Sequence, residues 1–111
     1  MSQPTITAWI GAGNMAEALI RAALRAGHPP GSMRASDVRA ERLEWCRREL
    51  GIEAVSDNAA AARDADLVVL AVKPQSMAAA LESLRGALRP DATVLSIAAG
   101  VPTARIEAML G

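Results

Sequence analysis

Hydrophobic and polar positions along the chain follow two alternating patterns. Short apolar runs predict strands, and each is followed by a stretch in which apolar residues recur every three or four positions, as on a helix packed on one side. The predicted strands cover residues 5–10, 33–36, 52–55, 67–72 and 93–97. The predicted helices cover residues 14–26, 40–50, 59–63, 77–88 and 103–110. This alternation predicts a series of βαβ units.

The fourth strand indicates how the sheet is covered. Residues 67–72 read LVVLAV and are apolar at every position, which is typical of a parallel strand buried on both faces by helices. Right-handed crossovers then give an α/β fold, a Rossmann-like doubly wound parallel sheet of about five strands in the order 3-2-1-4-5. The 111 residues suit one domain, 1–111.

The segment after the first strand carries the most specific pattern. Gly11, Gly13 and Ala16 match the G-x-G-x-x-G/A fingerprint of dinucleotide-binding folds. Gly11 permits a tight turn, Gly13 lets a pyrophosphate approach the backbone, and Ala16 lets the helix pack closely on the strand. The amides at the helix start would face the phosphates. Glycines are also common turn residues, so a plain strand-turn-helix is the alternative.

Three segments are expected to meet where the strand order reverses. GAGNM follows the first strand, AVKPQ follows the fourth, and SIAAG ends the fifth. Ligands of doubly wound sheets bind at the carboxyl ends of the strands at this point. Small residues in all three segments leave room for an extended ligand, which favours a small-molecule dinucleotide as the partner.

The loop after the second strand bears on the cofactor. Asp37 lies 24 residues beyond Gly13, near the spacing expected of an acidic residue that binds a ribose 2′-hydroxyl, which favours NAD. Ser36 can donate a hydrogen bond, and Arg39 and Arg42 can hold a 2′-phosphate at the start of the next helix, which favours NADP. These residues alone leave both cofactors open.

Composition narrows the class of protein. The chain is 51% hydrophobic and 22% charged, with 12 basic and 12 acidic side chains, which predicts a globular protein and argues against nucleic acid or a membrane surface as partner. Two tryptophans with no Phe or Tyr offer no platform for stacking bases. The sequence shows no spanning apolar run and no secretory signal, and its single cysteine suits a reducing cytoplasm.

Isolated reactive side chains add no catalytic constellation. His28 is expected in an exposed loop, and Cys46 on the inward face of a helix. Since no second Cys or His stands at ligand spacing, no metal site is predicted. Lys73 follows a buried strand and is either a cofactor contact or a loop residue. No serine-histidine or paired-carboxylate arrangement is visible, so the residues predict binding and no catalytic residue.

Taken together, IGAGNMAEALI, DLVVLAVKPQ and SIAAGV resemble, in order and spacing, the N-terminal domain of pyrroline-5-carboxylate reductase along essentially the whole chain. Trp9 departs from the phenylalanine usual in that family. The resemblance implies hydride transfer from NADPH, less often NADH, to the C=N bond of 1-pyrroline-5-carboxylate, which gives L-proline. The cofactor positions carried over are Ile10, Gly11, Ala12, Gly13, Asn14, Met15, Ser36, Asn58, Ala71, Val72, Lys73, Pro74, Ala98, Ala99 and Gly100.

The resemblance also bears on the cofactor and on the extent of the chain. The family's preference for NADP favours Arg39 as a contact, whereas Asp37 keeps NAD as the alternative. Family members continue through further strands and a helical dimerisation domain that holds the substrate. The expectation is therefore a cofactor-binding domain incomplete at its C-terminal end, with little activity alone, from a family that is homo-oligomeric through a domain absent here.

Three alternatives remain at this level. The chain could derive from another reductase, such as a deazaflavin-dependent NADP oxidoreductase or a hydroxyacid dehydrogenase of the 6-phosphogluconate type. It could be a stand-alone dinucleotide-binding module without chemistry, which the lack of catalytic residues favours. It could be a structural domain that binds no dinucleotide.

Overall fold

Strands and helices alternate through the whole of residues 5–97, which are the residues that this computed structural model describes. The strands are β1 Thr7–Ile10, β2 Met33–Ser36, β3 Glu53–Val55, β4 Leu67–Leu70 and β5 Thr93–Ser96. The helices are α1 Asn14–Arg25, α2 Ala40–Trp45, α3 Asn58–Ala62 and α4 Met77–Leu84. The α2 helix continues into a π-helical segment, Cys46–Leu50, and Pro30–Ser32 and Pro74–Ser76 form 3₁₀ turns.

The sheet has the predicted topology. Its five strands lie in the order β3-β2-β1-β4-β5, and every neighbouring pair is parallel. Ile10 lies opposite both Ser36 and Leu70, and Leu70 lies opposite Ser96. The carboxyl ends of four strands therefore form one level row, and the residues that follow them share one edge of the sheet.

Helices cover both faces, so the core has two layers. On one face Ile10 and Leu70 pack with residues of α3 and α4, and on the other Trp9 and Val69 pack with α1 and the α2 segment. Alternate strand residues point to opposite faces, which is why β4 needs apolar residues throughout. Many of the contacts are made by alanines, including Ala16 at 1% exposure, and these allow the helices to approach the sheet closely.

Several boundaries differ from the predicted ones. The predicted helix at 77–88 ends at Leu84 because Gly86 takes a left-handed conformation, φ +75°; Leu88 still packs on the core. The strand predicted at 67–72 ends at Leu70 because the next residues turn towards the glycine loop. The helix predicted at 103–110 lies outside the described residues.

Candidate functional site

The glycine loop is fitted against the end of β4. Gly11 has φ +100°, and a Cβ at this position would lie 2.9 Å from both the carbonyl carbon and oxygen of Ala71. The Gly11 N–H donates to the Ser36 carbonyl at 2.9 Å, and the Ala71 N–H donates to the Ile10 carbonyl at 2.8 Å. Any side chain at Gly11 would collide with backbone, so the loop requires glycine here.

Gly13 differs from Gly11 because it faces open space. A Cβ on Gly13 would meet no atom within 4 Å, and its φ of −79° is accessible to any residue. The first backbone bond of α1 runs from the Glu17 N–H to the Gly13 carbonyl, 2.9 Å. Among residues 5–97, the N–H groups of Gly13, Asn14 and Met15 have no hydrogen-bond acceptor. These free donors and the missing Cβ fit a phosphate group at the start of α1.

Asp37 is almost fully bonded within the protein. Its side chain is 7% exposed. One carboxylate oxygen accepts from the Ala12 N–H and from Arg39 Nη2, both at 3.0 Å. The other accepts from the Arg39 N–H and from Arg39 Nε, both at 2.9 Å. Burial acts to raise the pKa of Asp37, but the hydrogen bonds from Arg39 and Ala12 outweigh it and lower the pKa to about 2.

These bonds separate the roles of Asp37 and Arg39. An ionised carboxylate has about four lone-pair sites, and all of those on Asp37 are used. Arg39 lies at the N-cap of α2, and its side chain is 52% exposed. A guanidinium has five N–H donors. Two of those on Arg39 bind Asp37, and the other three have no acceptor within residues 5–97, so they are available to an anion.

Arg42 is not exposed in the way that Arg39 is. Its side chain is only 16% exposed, with Nη2 donating to Glu17 Oε1 at 2.8 Å. Nε donates to the Ala12 carbonyl, and the guanidinium lies over the Trp45 ring, 4.2 Å from its centroid. The sequence predicted Arg42 as a possible 2′-phosphate contact. In the structure two of its five N–H donors bind the glycine loop and α1, and a 2′-phosphate contact by Arg42 stays a prediction.

Ser36 and Asn58 form a polar chain beneath the edge. The Ser36 side chain is fully buried and donates to Asn58 Oδ1 at 2.6 Å. Asn58 Nδ2 in turn donates to Ser83 Oγ at 3.0 Å, which joins α3 to α4. The chain connects the end of β2 to both helices on that face. The assignment of Ser36 and Asn58 as cofactor contacts stays a prediction.

The other predicted contacts vary in exposure. Ile10 is fully buried, so only its backbone reaches the edge, whereas Lys73 and Pro74 are exposed. Ala71 and Val72 are half-buried beside Gly11. In the part of the chain that the structure describes, Lys73 makes no ion pair. Ala98, Ala99 and Gly100 lie outside the described residues.

The isolated reactive residues lie where the sequence placed them. His28 is exposed, and Cys46 is buried in the core, where burial raises the pKa of its thiol. Within residues 5–97, no cluster of three His, Cys, Asp or Glu side chains could hold a metal ion, and no helix is long and apolar enough to cross a membrane. Sequence reasoning missed Val38, which stands 96% exposed between Asp37 and Arg39.

Comparisons with known proteins agree with this geometry. The chain is 50% identical over 111 residues to a pyrroline-5-carboxylate reductase of Pseudomonas aeruginosa; the match covers 100% of the chain and 40% of that protein. A solved pyrroline-5-carboxylate reductase from Coxiella burnetii superposes with a TM-score of 0.93 at 32% identity, covering 98% of this chain and 41% of that one. The resemblance noted from the sequence is confirmed, and the chain spans about 40% of the length of these relatives.

A third comparison bears on the fold alone. The Plasmodium falciparum pyrroline carboxylate reductase, solved with NADP bound, superposes with a TM-score of 0.81 at 22% identity over 96% of this chain and 38% of its own.

The family described as NADP oxidoreductase, coenzyme F420-dependent, matches residues 7–100 by its sequence model. That match covers most of the chain and includes the glycine loop, β2 and β4. The chain therefore belongs to the coenzyme F420-dependent NADP oxidoreductase family.

Proposed function

We propose that the chain binds NADP(H) along the carboxyl edge of its sheet and forms the cofactor-binding part of a pyrroline-5-carboxylate reductase. The observation that carries the cofactor site is the pair of glycines. Gly11 is closed against Ala71, whereas Gly13 is open beside free backbone donors. A loop that only turned the chain would need the first glycine and would have no need of the second.

The phosphorylated cofactor is favoured over NAD by the state of Asp37. Its four acceptor sites are filled by Ala12 and Arg39, so a ribose 2′-hydroxyl would have to displace one of these bonds. Arg39 is held in place by the same contact, and its other three N–H donors have no acceptor in the described part of the chain. A fixed guanidinium suits a 2′-phosphate, which accepts paired hydrogen bonds.

The proposed reaction is reduction of 1-pyrroline-5-carboxylate to L-proline, with the hydride supplied by the bound nicotinamide cofactor. The similarity of the chain to pyrroline-5-carboxylate reductases supports this choice over the other reductases that share the family. In this chain the role of residues 5–97 is to bind and orient the cofactor. We further propose a cytoplasmic location. We also propose that the protein assembles with further copies of itself, through a region that corresponds to the part of its relatives outside the match.

A thermal-shift titration of the chain with NADPH and NADH tests the cofactor. A ligand at a hundred times its Kd stabilises the fold by about 2.7 kcal/mol, which is about 10–20 °C in Tm for a domain of this size. NADPH should raise Tm more than NADH. Arg39→Ala should remove that difference, and Gly13→Ala should abolish both shifts, because its Cβ occupies the path of the pyrophosphate. A larger shift with NADH would overturn the choice of NADP, and no shift with either would overturn the site.

Activity needs a second test. The chain is joined to the remaining part of a reductase such as that of Pseudomonas aeruginosa, and NADPH-dependent formation of proline is followed. Proline formation is expected with the parent chain and not with Gly13→Ala. Cofactor binding without proline formation would favour a stand-alone dinucleotide-binding module.

A further inference from the structure

We infer that Arg42 is a positioning residue that orients the Gly13 amide towards the cofactor phosphate and leaves the choice between NADPH and NADH to Arg39. This inference rests on the proposed function, because it assigns a role at the same loop. It begins with the contacts of Ala12. The Ala12 N–H donates to Asp37 at 3.0 Å, and the Ala12 carbonyl accepts from Arg42 Nε.

The geometry of the peptide bond carries the argument to Gly13. The Ala12 carbonyl and the Gly13 N–H belong to one planar trans peptide unit, so they point in opposite directions. When Arg42 binds the carbonyl from the α2 side, the Gly13 N–H must point the other way. That N–H has no acceptor among the described residues, and no atom lies within 4 Å of the position of a Gly13 Cβ. Arg42 therefore sets the direction of a donor that it does not touch.

Arg42 is suited to this role because its own position is fixed from three sides. Nη2 donates to Glu17 at 2.8 Å, the guanidinium stacks on Trp45, and Nε reaches Ala12. Glu17 is in turn held by Arg21, whose Nε lies 3.0 Å from the other carboxylate oxygen. Only a planar guanidinium can make the two directed bonds and stack at the same time.

The guanidinium of Arg42 makes its contacts inside the protein. Its side chain is 16% exposed, against 52% for Arg39, and its partner Glu17, which also binds Arg21, lies in the first turn of α1. Arg42 consequently acts by orientation, and its effect should not depend on whether the ligand carries a 2′-phosphate. Arg39, with its more exposed guanidinium, should affect NADPH more than NADH.

The first experiment measures the Kd of NADPH and NADH by titration calorimetry for the parent chain, Arg42→Lys, Arg39→Ala and the matched control Arg21→Lys. Arg21 also binds Glu17 and lies 5.6 Å from the centroid of the Trp45 ring, but no contact joins it to Ala12 in the described part of the chain. Arg42→Lys should weaken both cofactors by the same factor, about tenfold, from loss of a charge-assisted bond to the loop. Arg21→Lys should change neither Kd by more than about twofold.

The second experiment needs no ligand and separates this inference from the proposed function. The ¹⁵N–¹H resonance of Gly13 and its amide exchange rate are compared between the parent chain, Arg42→Lys, Glu17→Gln and Arg21→Lys. Arg42→Lys should shift the Gly13 resonance strongly and Glu17→Gln less, whereas Arg21→Lys should leave it in place. If Arg42→Lys does not fold, Glu17→Gln replaces it in the titration and in the NMR comparison. This variant keeps Arg42 and weakens the bond that holds its guanidinium.

The outcomes are distinct. A larger loss for NADPH than for NADH in Arg42→Lys would make Arg42 a 2′-phosphate contact and overturn the inference, as would an unchanged Gly13 resonance in that variant. Equal losses together with a shifted Gly13 resonance would support it. A parent chain that binds neither cofactor would defeat the proposed function, and the Gly13 resonance would still test the inference.

Discussion

The carboxylate of Asp37 should make a contribution to stability that depends on pH within a narrow window. Its pKa falls from 3.8 to about 2 on folding. A carboxyl whose pKa is lower in the folded state stabilises that state fully above pH 3.8, and the contribution disappears as the pH falls through about 2. A difference of about 1.8 pH units corresponds to about 2.4 kcal/mol in the free energy of unfolding.

Asp37→Asn removes the charge while keeping the size of the side chain and one acceptor oxygen. We expect the variant to be about 2 kcal/mol less stable than the parent between pH 5 and 7, which lowers Tm by about 8–16 °C. The difference should shrink below pH 4 and vanish near pH 2. Equilibrium urea unfolding followed by far-UV circular dichroism, repeated from pH 7 to 2, measures it. Asp91→Asn is the control, because the Asp91 side chain is 78% exposed and should change stability by less than about 0.5 kcal/mol.

Two results would refute this reasoning. A stability difference that stays constant from pH 7 to 2 would mean that the charge of Asp37 is not what stabilises the fold. An Asp37→Asn variant as stable as the parent at pH 7 would mean that the pair with Arg39 behaves as an exposed salt bridge. Arg39→Ala is a useful companion, because it removes two of the four bonds to the carboxylate and should reproduce part of the loss.

Two further substitutions test the packing of β1 and its loop. Gly11→Ala should lower the free energy of unfolding, measured by urea unfolding, by about 2–4 kcal/mol, because the Cβ meets the Ala71 carbonyl at 2.9 Å and φ is +100°. Gly13→Ala is the control and should stay within about 0.5 kcal/mol of the parent. An equal loss in both variants would contradict the structural difference between the two glycines. Trp9→Phe should change stability by less than about 1 kcal/mol, because it removes both apolar volume and a buried indole N–H that has no acceptor in the described residues. Trp9→Ala should lower the free energy of unfolding by about 3–5 kcal/mol. Thermal melts in which Trp9→Phe and Trp9→Ala lose the same stability would contradict this account.

The fold could be predicted because its signals are local. The uniformly apolar run at Leu67–Leu70 and the helical periodicity on either side of it required a sheet covered on both faces, and the strand order followed from the handedness of crossovers. The ends of the elements were less predictable. The helix α4 stops at Leu84 because Gly86 adopts a positive φ, although the apolar spacing continues to Leu88.

The partners of the loop could not be predicted in the same way. Asp37 lies 25 positions from Ala12, and Arg42 lies 30 positions from it, so neither contact leaves a periodic trace in the sequence. Spacing alone marked Asp37 as a ribose contact, because an acidic residue at that distance is the usual sign of one. Whether its lone pairs are free depends on where Arg39 points, and that is fixed only in the folded chain.

These contacts explain how an acidic residue after β2 is compatible with a phosphorylated cofactor. A bare carboxylate there would repel a 2′-phosphate, but Asp37 is paired with Arg39 and turned towards the Ala12 N–H. Arg42 is likewise paired with Glu17 and directed at the Ala12 carbonyl. The two pairs hold Ala12 from both sides, so Asp37 helps to fix the backbone that we propose as the pyrophosphate site. On the proposed assignment the remaining N–H donors of Arg39 meet the 2′-phosphate, so an acidic residue at the position expected in an NAD site is compatible with NADP.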